Sequence, residues 1–143
     1  MKIAVGCDPN AQAYKEEMIE YIKSLGHEVT DFGSDDVIYA HVATKVAEAV
    51  AAKEYDRGVL FCGTGIGVML AANKVKGVRC ALCSEPYSAE MTRRHNDANC
   101  LAMGALMIGS MMAERIVDVF LTTEFEGGRH QRRVDKVMAT EQK

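Results

Sequence analysis

A cysteine that precedes a glycine-rich loop is the feature of this sequence best suited to chemistry. Cys62 ends an apolar run, and an amphipathic stretch follows the loop. Glycines between a strand and a helix let backbone N–H groups converge on an anion. The electric field of these amides and of the helix N-terminus also stabilises a thiolate. The sequence therefore predicts that Cys62 is a general base or a nucleophile; an inert buried thiol beside an ordinary tight turn is the alternative. The loop consists of Gly63, Thr64, Gly65, Ile66 and Gly67.

The spacing of these glycines excludes the common nucleotide-binding loops. The spacing is G-x-G-x-G, and Val68 stands where the dinucleotide-binding motif has its third glycine. No Gly-Lys-Ser/Thr follows, as it would in an ATP-binding loop. No cluster of residues has the spacing of metal ligands. The sequence therefore predicts a site without cofactor or metal.

Two further polar segments could act on a small anionic molecule. His95 can shuttle protons near neutral pH, and Asn96 and Asn99 can hold hydroxyls or an oxyanion, although a helix end with turn residues would look the same. Arg129 and Arg133 are four residues apart and share one helix face, as a phosphate site requires, although a solvated charge run is also compatible. Together these groups predict proton transfer on a small phosphorylated molecule.

Composition narrows the class of protein. The 143 residues are enough for one domain, residues 1–143, and the net charge of −3 argues against a nucleic-acid partner. The first residues enter an apolar strand directly, and no apolar run is long enough for a membrane helix, so a cytoplasmic protein is expected. An odd number of cysteines, five, argues against a disulfide framework. Cys80 and Cys83 would point to opposite faces of a strand, so their sulfurs could not share one metal ion.

The elements that must position these residues alternate between strands and helices. Apolar runs predict strands over 2–7, 27–32, 56–62, 77–83 and 99–103. Helical spacing predicts helices over 10–25, 39–52, 66–75, 86–95 and 110–120, and a polar, helix-compatible tail over about 129–142. This alternation predicts an α/β fold: one doubly wound, Rossmann-like, five-stranded parallel sheet with helices on both faces. Ligands of such sheets bind beyond the carboxyl ends of the strands, where Asp8 and the Cys62 loop are expected.

Four segments resemble the ribose-5-phosphate isomerase type B family, which includes the galactose-6-phosphate isomerase subunits. They are Cys62–Gly67, Cys83–Ala89, His95–Asp97 and Glu126–Gln131, in the family's order, and the resemblance covers nearly the whole chain. It implies a metal-free aldose–ketose isomerase that forms a homodimer or a dimer of dimers. It also implies active sites at the subunit interface, with the C-terminal helix packed on a partner subunit.

The resemblance also implies a role for each site residue. Cys62 is the base that removes the proton beside the carbonyl, Thr64 assists proton traffic among the oxygens, and His95 opens the sugar ring. The amides of Gly63 to Gly67 stabilise the enediolate. The substrate contacts implied are Asp8 and Tyr39 at the sugar hydroxyls, Asn96 and Asn99 at other polar groups, and Arg129 and Arg133 at the phosphate.

The chain departs from the family around the sugar and its phosphate. Pro9 replaces a histidine, Ile38 and Ala40 flank Tyr39 in place of aspartate and proline, and Leu106 replaces a phosphate-binding arginine of many members. Retention of the proton-transfer residues favours altered substrate choice over lost activity. A tetrose 4-phosphate cannot close a five-membered ring and would make His95 partly redundant, so a ring-forming sugar phosphate is the first choice.

Two other functions fit parts of the sequence. The losses at Pro9 and Leu106 would suit a non-catalytic phosphosugar-binding or regulatory protein with the same fold. A thiol hydrolase built on Cys62 and His95 would need those two side chains within hydrogen-bond reach of each other.

Overall fold

The computed structural model describes all 143 residues and contains five strands and six helices. The strands are β1 (Lys2–Cys7), β2 (Glu28–Asp31), β3 (Arg57–Cys62), β4 (Cys80–Leu82) and β5 (Cys100–Gly104). The helices are α1 (Gln12–Ser24), α2 (Tyr39–Ala51), α3 (Ile66–Ala72), α4 (Pro86–Asn96), α5 (Ser110–Thr122) and α6 (Arg129–Ala139). None of these helices has the length and apolar character needed to span a bilayer.

All five strands are parallel and lie in the order β2-β1-β3-β5-β4. The register pairs Cys62 with Gly104 and Cys7 with Phe61, so β1, β3 and β5 end at one edge of the sheet. This confirms the predicted doubly wound fold. It also places the residues that follow these three strands next to one another.

Each face of the sheet buries a separate apolar core. Along β3, Val59 and Phe61 belong to the core under α1, α4 and α5, whereas Leu60 and Cys62 belong to the core under α2 and α3. The alternation follows from the two-residue period of a strand, and it makes each strand apolar throughout. Cys80 and Cys83 likewise fall in different cores, as their spacing predicted.

The largest difference from the predicted elements lies between α3 and β4. The sequence predicts a helix to residue 75 and a strand from residue 77, but α3 ends at Ala72 and β4 begins at Cys80. The side chain of Asn73 accepts a hydrogen bond from the Cys80 N–H at 2.8 Å and donates one to the Cys80 carbonyl at 2.9 Å. These bonds stop the helix and fix the start of the strand, which hydrophobic periodicity cannot reveal.

The C-terminal segment packs on its own domain through one face. In α6, His130 and Val134 are buried against α4, and Glu141 accepts a hydrogen bond from the Gly77 N–H at 2.9 Å. The opposite face is cationic and open to solvent. Packing of this helix on a partner subunit stays a prediction.

Candidate active site

The loop after β3 holds Cys62 at the start of α3. Gly65 has a φ of +81°, a conformation that favours glycine, and its N–H donates to the Cys62 Sγ at 3.1 Å. The Ile66 N–H donates to the Thr64 Oγ1 at 3.3 Å. Two of the amides expected to bind an anion therefore bond to the loop's own side chains in this state. Cys62 is 6% exposed and forms part of the apolar core under α2 and α3.

The segment after β5 supports this loop from the side. The Ala105 N–H donates to the Cys62 carbonyl at 2.8 Å, and the Leu106 N–H donates to the Gly63 carbonyl at 3.0 Å. Gly104 lies so close that a Cβ there would be 2.7 Å from the Thr64 carbonyl carbon. The absence of a side chain at Gly104 is therefore what lets the loop rest on the end of β5.

Three other side chains border the loop. Asp8 follows β1, lies beside the end of β3 through its backbone bond to Phe61, and accepts from the Asn10 N–H at 3.1 Å. The ring of Tyr39 packs over Gly67, where a Cβ would be 2.7 Å away. Leu106 lies against Gly63 and is 81% exposed. The carboxyl edge thus brings together Cys62, Thr64, the glycines, Ile66, Asp8 and Tyr39.

His95 and Asn96 lie elsewhere, at the end of α4. His95 stacks on His130 with ring centroids 4.2 Å apart and an interplanar angle of 8°. These side chains, with Asn96 and Arg133, line a cavity of about 590 Å³ between α4, α6 and β4. Arg129 and Arg133 share a second groove with Arg132 and Lys136, so the predicted arginine pair does face one surface. This edge holds the cationic half of the predicted site.

The two groups occupy opposite edges of the sheet. The Gly58 N–H bonds to the Asn99 carbonyl at 3.0 Å, which places the start of β5 beside the start of β3. Cys62 is four residues further along β3, a rise of roughly 13 Å. Cys62 lines neither the 590 Å³ cavity nor the groove of Arg129 and Arg133. A single chain therefore does not bring Cys62 and His95 together, which removes the basis for a thiol hydrolase within one chain.

Asn99 has a role in the fold. Its side-chain oxygen accepts from the Arg79 N–H at 2.8 Å, and its amide nitrogen donates to the Gly77 carbonyl at 2.9 Å. Both groups are occupied and 91% of the residue is shielded from solvent, as its 9% exposure indicates. We therefore leave Asn99 out of the site proposed below, in contrast to the sequence-based expectation.

Burial keeps four of the five thiols protonated. It raises the pKa of Cys7, Cys83 and Cys100 to about 12, and that of Cys80 well above its ordinary value. All five cysteines are free. These four thiols stay protonated near neutral pH, so none of them competes for the role predicted for Cys62.

Two residues near His95 were missed by the sequence reasoning. Glu126 lies 3.9 Å from the His95 Nε2 and 3.5 Å from the His130 Nε2, and it accepts a hydrogen bond from Arg94. Bonding to Arg94 lowers the pKa of Glu126, and burial lowers that of His130. The spacing of Glu126 and His130, four residues across a glycine pair, was the available signal, but only the packing of α6 on α4 brings them to His95.

The fold and the loop define a doubly wound α/β protein with a thiol and an amide-rich turn at the carboxyl edge of its sheet. The sequence pattern of the Ribose/Galactose Isomerase family matches residues 3–137. The chain belongs to this family, as its four motifs predicted.

Its relatives are sugar-phosphate isomerases. The chain is 48% identical to ribose-5-phosphate isomerase B of Escherichia coli, over 99% of this chain and 97% of that protein. It is 40% identical to a D-erythrulose-4-phosphate isomerase of Pectobacterium atrosepticum, over 96% and 93% of the two chains. The structure of ribose-5-phosphate isomerase B from Clostridium thermocellum superimposes with a TM-score of 0.95 at 46% identity, covering 99% of this chain and 98% of that one.

Proposed function

We propose that this chain is an aldose–ketose isomerase that acts on ribose 5-phosphate or a related tetrose or hexose phosphate through an enediolate, without a metal or cofactor. The observation that carries the proposal is the contact between the Gly65 N–H and the Cys62 Sγ. A hydrogen bond to sulfur stabilises its anionic form, as a thiolate base requires. Family membership supports the reaction class.

The proposed reaction begins with ring opening. His95 accepts the proton of the C1 hydroxyl and becomes an imidazolium as the aldehyde forms and the bond between C1 and the ring oxygen breaks. The imidazolium then gives this proton to the ring oxygen, which restores neutral His95. The Cys62 thiolate then removes the proton from C2, and the negative charge moves to the C1 oxygen. Backbone N–H groups of the glycine loop stabilise this enediolate; a single donor in such a site contributes about 10²–10³ in rate.

The remaining steps return the proton to carbon. Thr64 carries a proton from the C2 hydroxyl to the C1 oxygen, so that C2 becomes the ketone. Cys62 delivers its proton to C1, which restores the thiolate. Asp8, Tyr39 and Asn96 hold the sugar hydroxyls in this proposal.

The phosphate is assigned to Arg129 and Arg133. Both arginines line one open cationic groove on α6, with Arg132 and Lys136 beside them. Guanidinium groups suit phosphate because their donors match its oxygens. Net attraction by four cations also favours a dianionic substrate over a neutral sugar.

A second copy of the chain must complete the site. In one chain the Cys62 loop and His95 lie at opposite edges of the sheet, so the two can meet only if the loop of one protomer faces the His95 edge of another. The loop edge exposes apolar side chains that such contact would cover: Ile38, Tyr39, Ile66, Leu70, Leu106 and Met107. We therefore propose a homodimer, or a dimer of dimers, with interface active sites. A cytoplasmic location is part of the proposal because the relatives are sugar-phosphate isomerases.

Mixed dimers test this arrangement directly. Cys62→Ala and His95→Gln chains, each inactive on ribose 5-phosphate alone, are refolded together. Shared sites would restore about a quarter of wild-type activity, because half of the dimers carry one intact site of two. A mixture that stays inactive, although mass measurement shows mixed dimers, would contradict the interface site.

Exchange of the C2 hydrogen tests the role of Cys62. In Cys62→Ala, transfer of solvent deuterium into C2 of ribose 5-phosphate should fall by at least about 10², the contribution of a positioned base. Cys83→Ala is the matched control, since it removes a buried thiol near the same edge. Undiminished exchange in Cys62→Ala would remove Cys62 from the mechanism.

One observation favours a second candidate function. Leu106 presents an exposed apolar side chain beside Gly63, where many family members carry a phosphate-binding arginine. A non-catalytic phosphosugar-binding protein would be stabilised against heat by ribose 5-phosphate but would turn over no tetrose, pentose or hexose phosphate. Turnover of any of these substrates by the purified chain would exclude it.

A further inference from the structure

The cluster of His95, Glu126 and His130 is more elaborate than a lone ring-opening histidine requires. The His130 side chain is 4% exposed, and its Nε2 is buried without a hydrogen-bond partner. That atom lies 3.5 Å from a Glu126 oxygen, and the His95 Nε2 lies 3.9 Å from the other. The Nε2 atom of each imidazole therefore faces the Glu126 carboxylate.

Charge decides between two uses of such a cluster. Its three ligand atoms lie within 4.8 Å of one another, a spacing that a divalent cation could bridge. However, Glu126 is already bonded to Arg94, and an Arg133 nitrogen lies 3.4 Å from the His130 Nδ1. These guanidinium groups repel a cation and occupy its carboxylate, so the arrangement favours proton chemistry over metal binding.

We infer that Glu126 and His130 are positioning residues for His95, with Glu126 holding the proton on Nε2 and His130 supplying a neutral stacking surface. The inference deepens the proposed function, on which its catalytic part rests. A carboxylate beside one ring nitrogen sets the tautomer and stabilises the imidazolium that forms when the other nitrogen accepts a proton. The 3.9 Å separation can tighten when substrate closes the site.

The stacked ring must be neutral for this role. A second imidazolium with its centroid 4.2 Å away would repel the charge that His95 gains during ring opening. Burial lowers the pKa of His130, and the neighbouring His95 and Arg129 act in the same direction. Arg94 donates a hydrogen bond to the Glu126 oxygen that faces His95, which helps to hold the carboxylate beside the two rings.

Substrates that differ in ring closure provide the decisive readout. Ribose 5-phosphate is a closed ring that needs opening, whereas erythrose 4-phosphate has its C4 oxygen esterified and stays open. In Glu126→Gln, kcat/KM for ribose 5-phosphate should fall about tenfold or more, a part of what acid–base catalysis contributes, and kcat/KM for erythrose 4-phosphate should stay within about twofold. Equal loss with both substrates, or no loss with either, would overturn the inference.

A matched variant and a spectrum separate this inference from the proposed function. Glu124→Gln removes a charge from an exposed neighbour two residues away and should leave both substrates unaffected. In the ¹⁵N NMR spectrum of the full-length protein, His95 (assigned with His95→Gln) should be the Nε2–H tautomer in the wild type and a mixture in Glu126→Gln. An unchanged tautomer overturns the positioning role even if the enzyme is active. A wild type that converts neither substrate refutes the assigned substrate while the tautomer test still stands.

Discussion

Gly104 offers the sharpest test of how the fold sets the active-site loop. In Gly104→Ala, the new Cβ would lie 2.7 Å from the carbonyl carbon and oxygen of Thr64, whereas ordinary contacts begin near 3.4 Å. Both atoms belong to the backbone of the Cys62 loop and cannot turn aside as a side chain would. The loop must therefore move by about 0.7 Å, the difference between these distances. Displacing catalytic groups by about 1 Å can cost 10² in rate. We expect kcat/KM to fall about 10- to 100-fold.

A second glycine provides the matched control. A Cβ at Gly58 would lie 2.8 Å from the Cys100 Sγ and 2.8 Å from a Val46 methyl, at the amino edge of the same sheet. Overpacking of this kind costs about 1–3 kcal/mol in either variant, so both should melt at lower temperature. Only Gly104→Ala should lose activity when both are assayed at 25 °C in the folded state. Wild-type kcat/KM in folded Gly104→Ala would refute the claim that Gly104 sets the loop.

Two further predictions concern stability. The Lys15 side chain is 2% exposed, and its ammonium group bonds Asp31 at 2.8 Å. Asp31→Ala leaves this buried charge without a partner and should lower the free energy of unfolding in denaturant by about 2–4 kcal/mol, whereas Lys15→Met should change it by less than about 1 kcal/mol. Equal losses in the two variants would contradict this interpretation. Hydrogen bonds from Ser88 lower the pKa of Glu85 at the start of α4, so its stabilisation is present above its ordinary value of 4.5 and is lost as pH falls through the lowered value. The difference in Tm between wild type and Glu85→Gln should therefore be largest near pH 7 and vanish in acid, and a pH-independent difference would show that the charge does not matter.

Much of the fold could be predicted because its signals are local. The apolar run before Cys62, the glycines after it and the helical spacing beyond are all contained in a few consecutive residues, and they predict strand, turn and helix in the right order. Parallel pairing then follows from the alternation of strands and helices. Boundaries were less accurate where a single side chain decided them, as Asn73 does for the end of α3 and the start of β4.

The site was predicted as one group of residues, and the structure divides it into two. The sequence did contain the information that His95 and Asn99 lie at the amino edge, because residues between a helix and the next strand lie at that edge of a parallel sheet. The fold gives Asn99 a structural role, because its amide bonds the backbone at Arg79 and Gly77. For Glu126 the only signal was its spacing from His130, and its place beside His95 depends on how the glycine pair turns the chain and how α6 packs on α4.

The sequence by itself determined the residue types, the Cys62 loop and the order of strands and helices, since hydrophobic period and glycine placement act over a few neighbours. Only the tertiary structure decided which charges and which second imidazole lie beside His95. Those properties depend on contacts between residues more than thirty positions apart, such as Arg94 with Glu126 and His95 with His130, which no local pattern encodes.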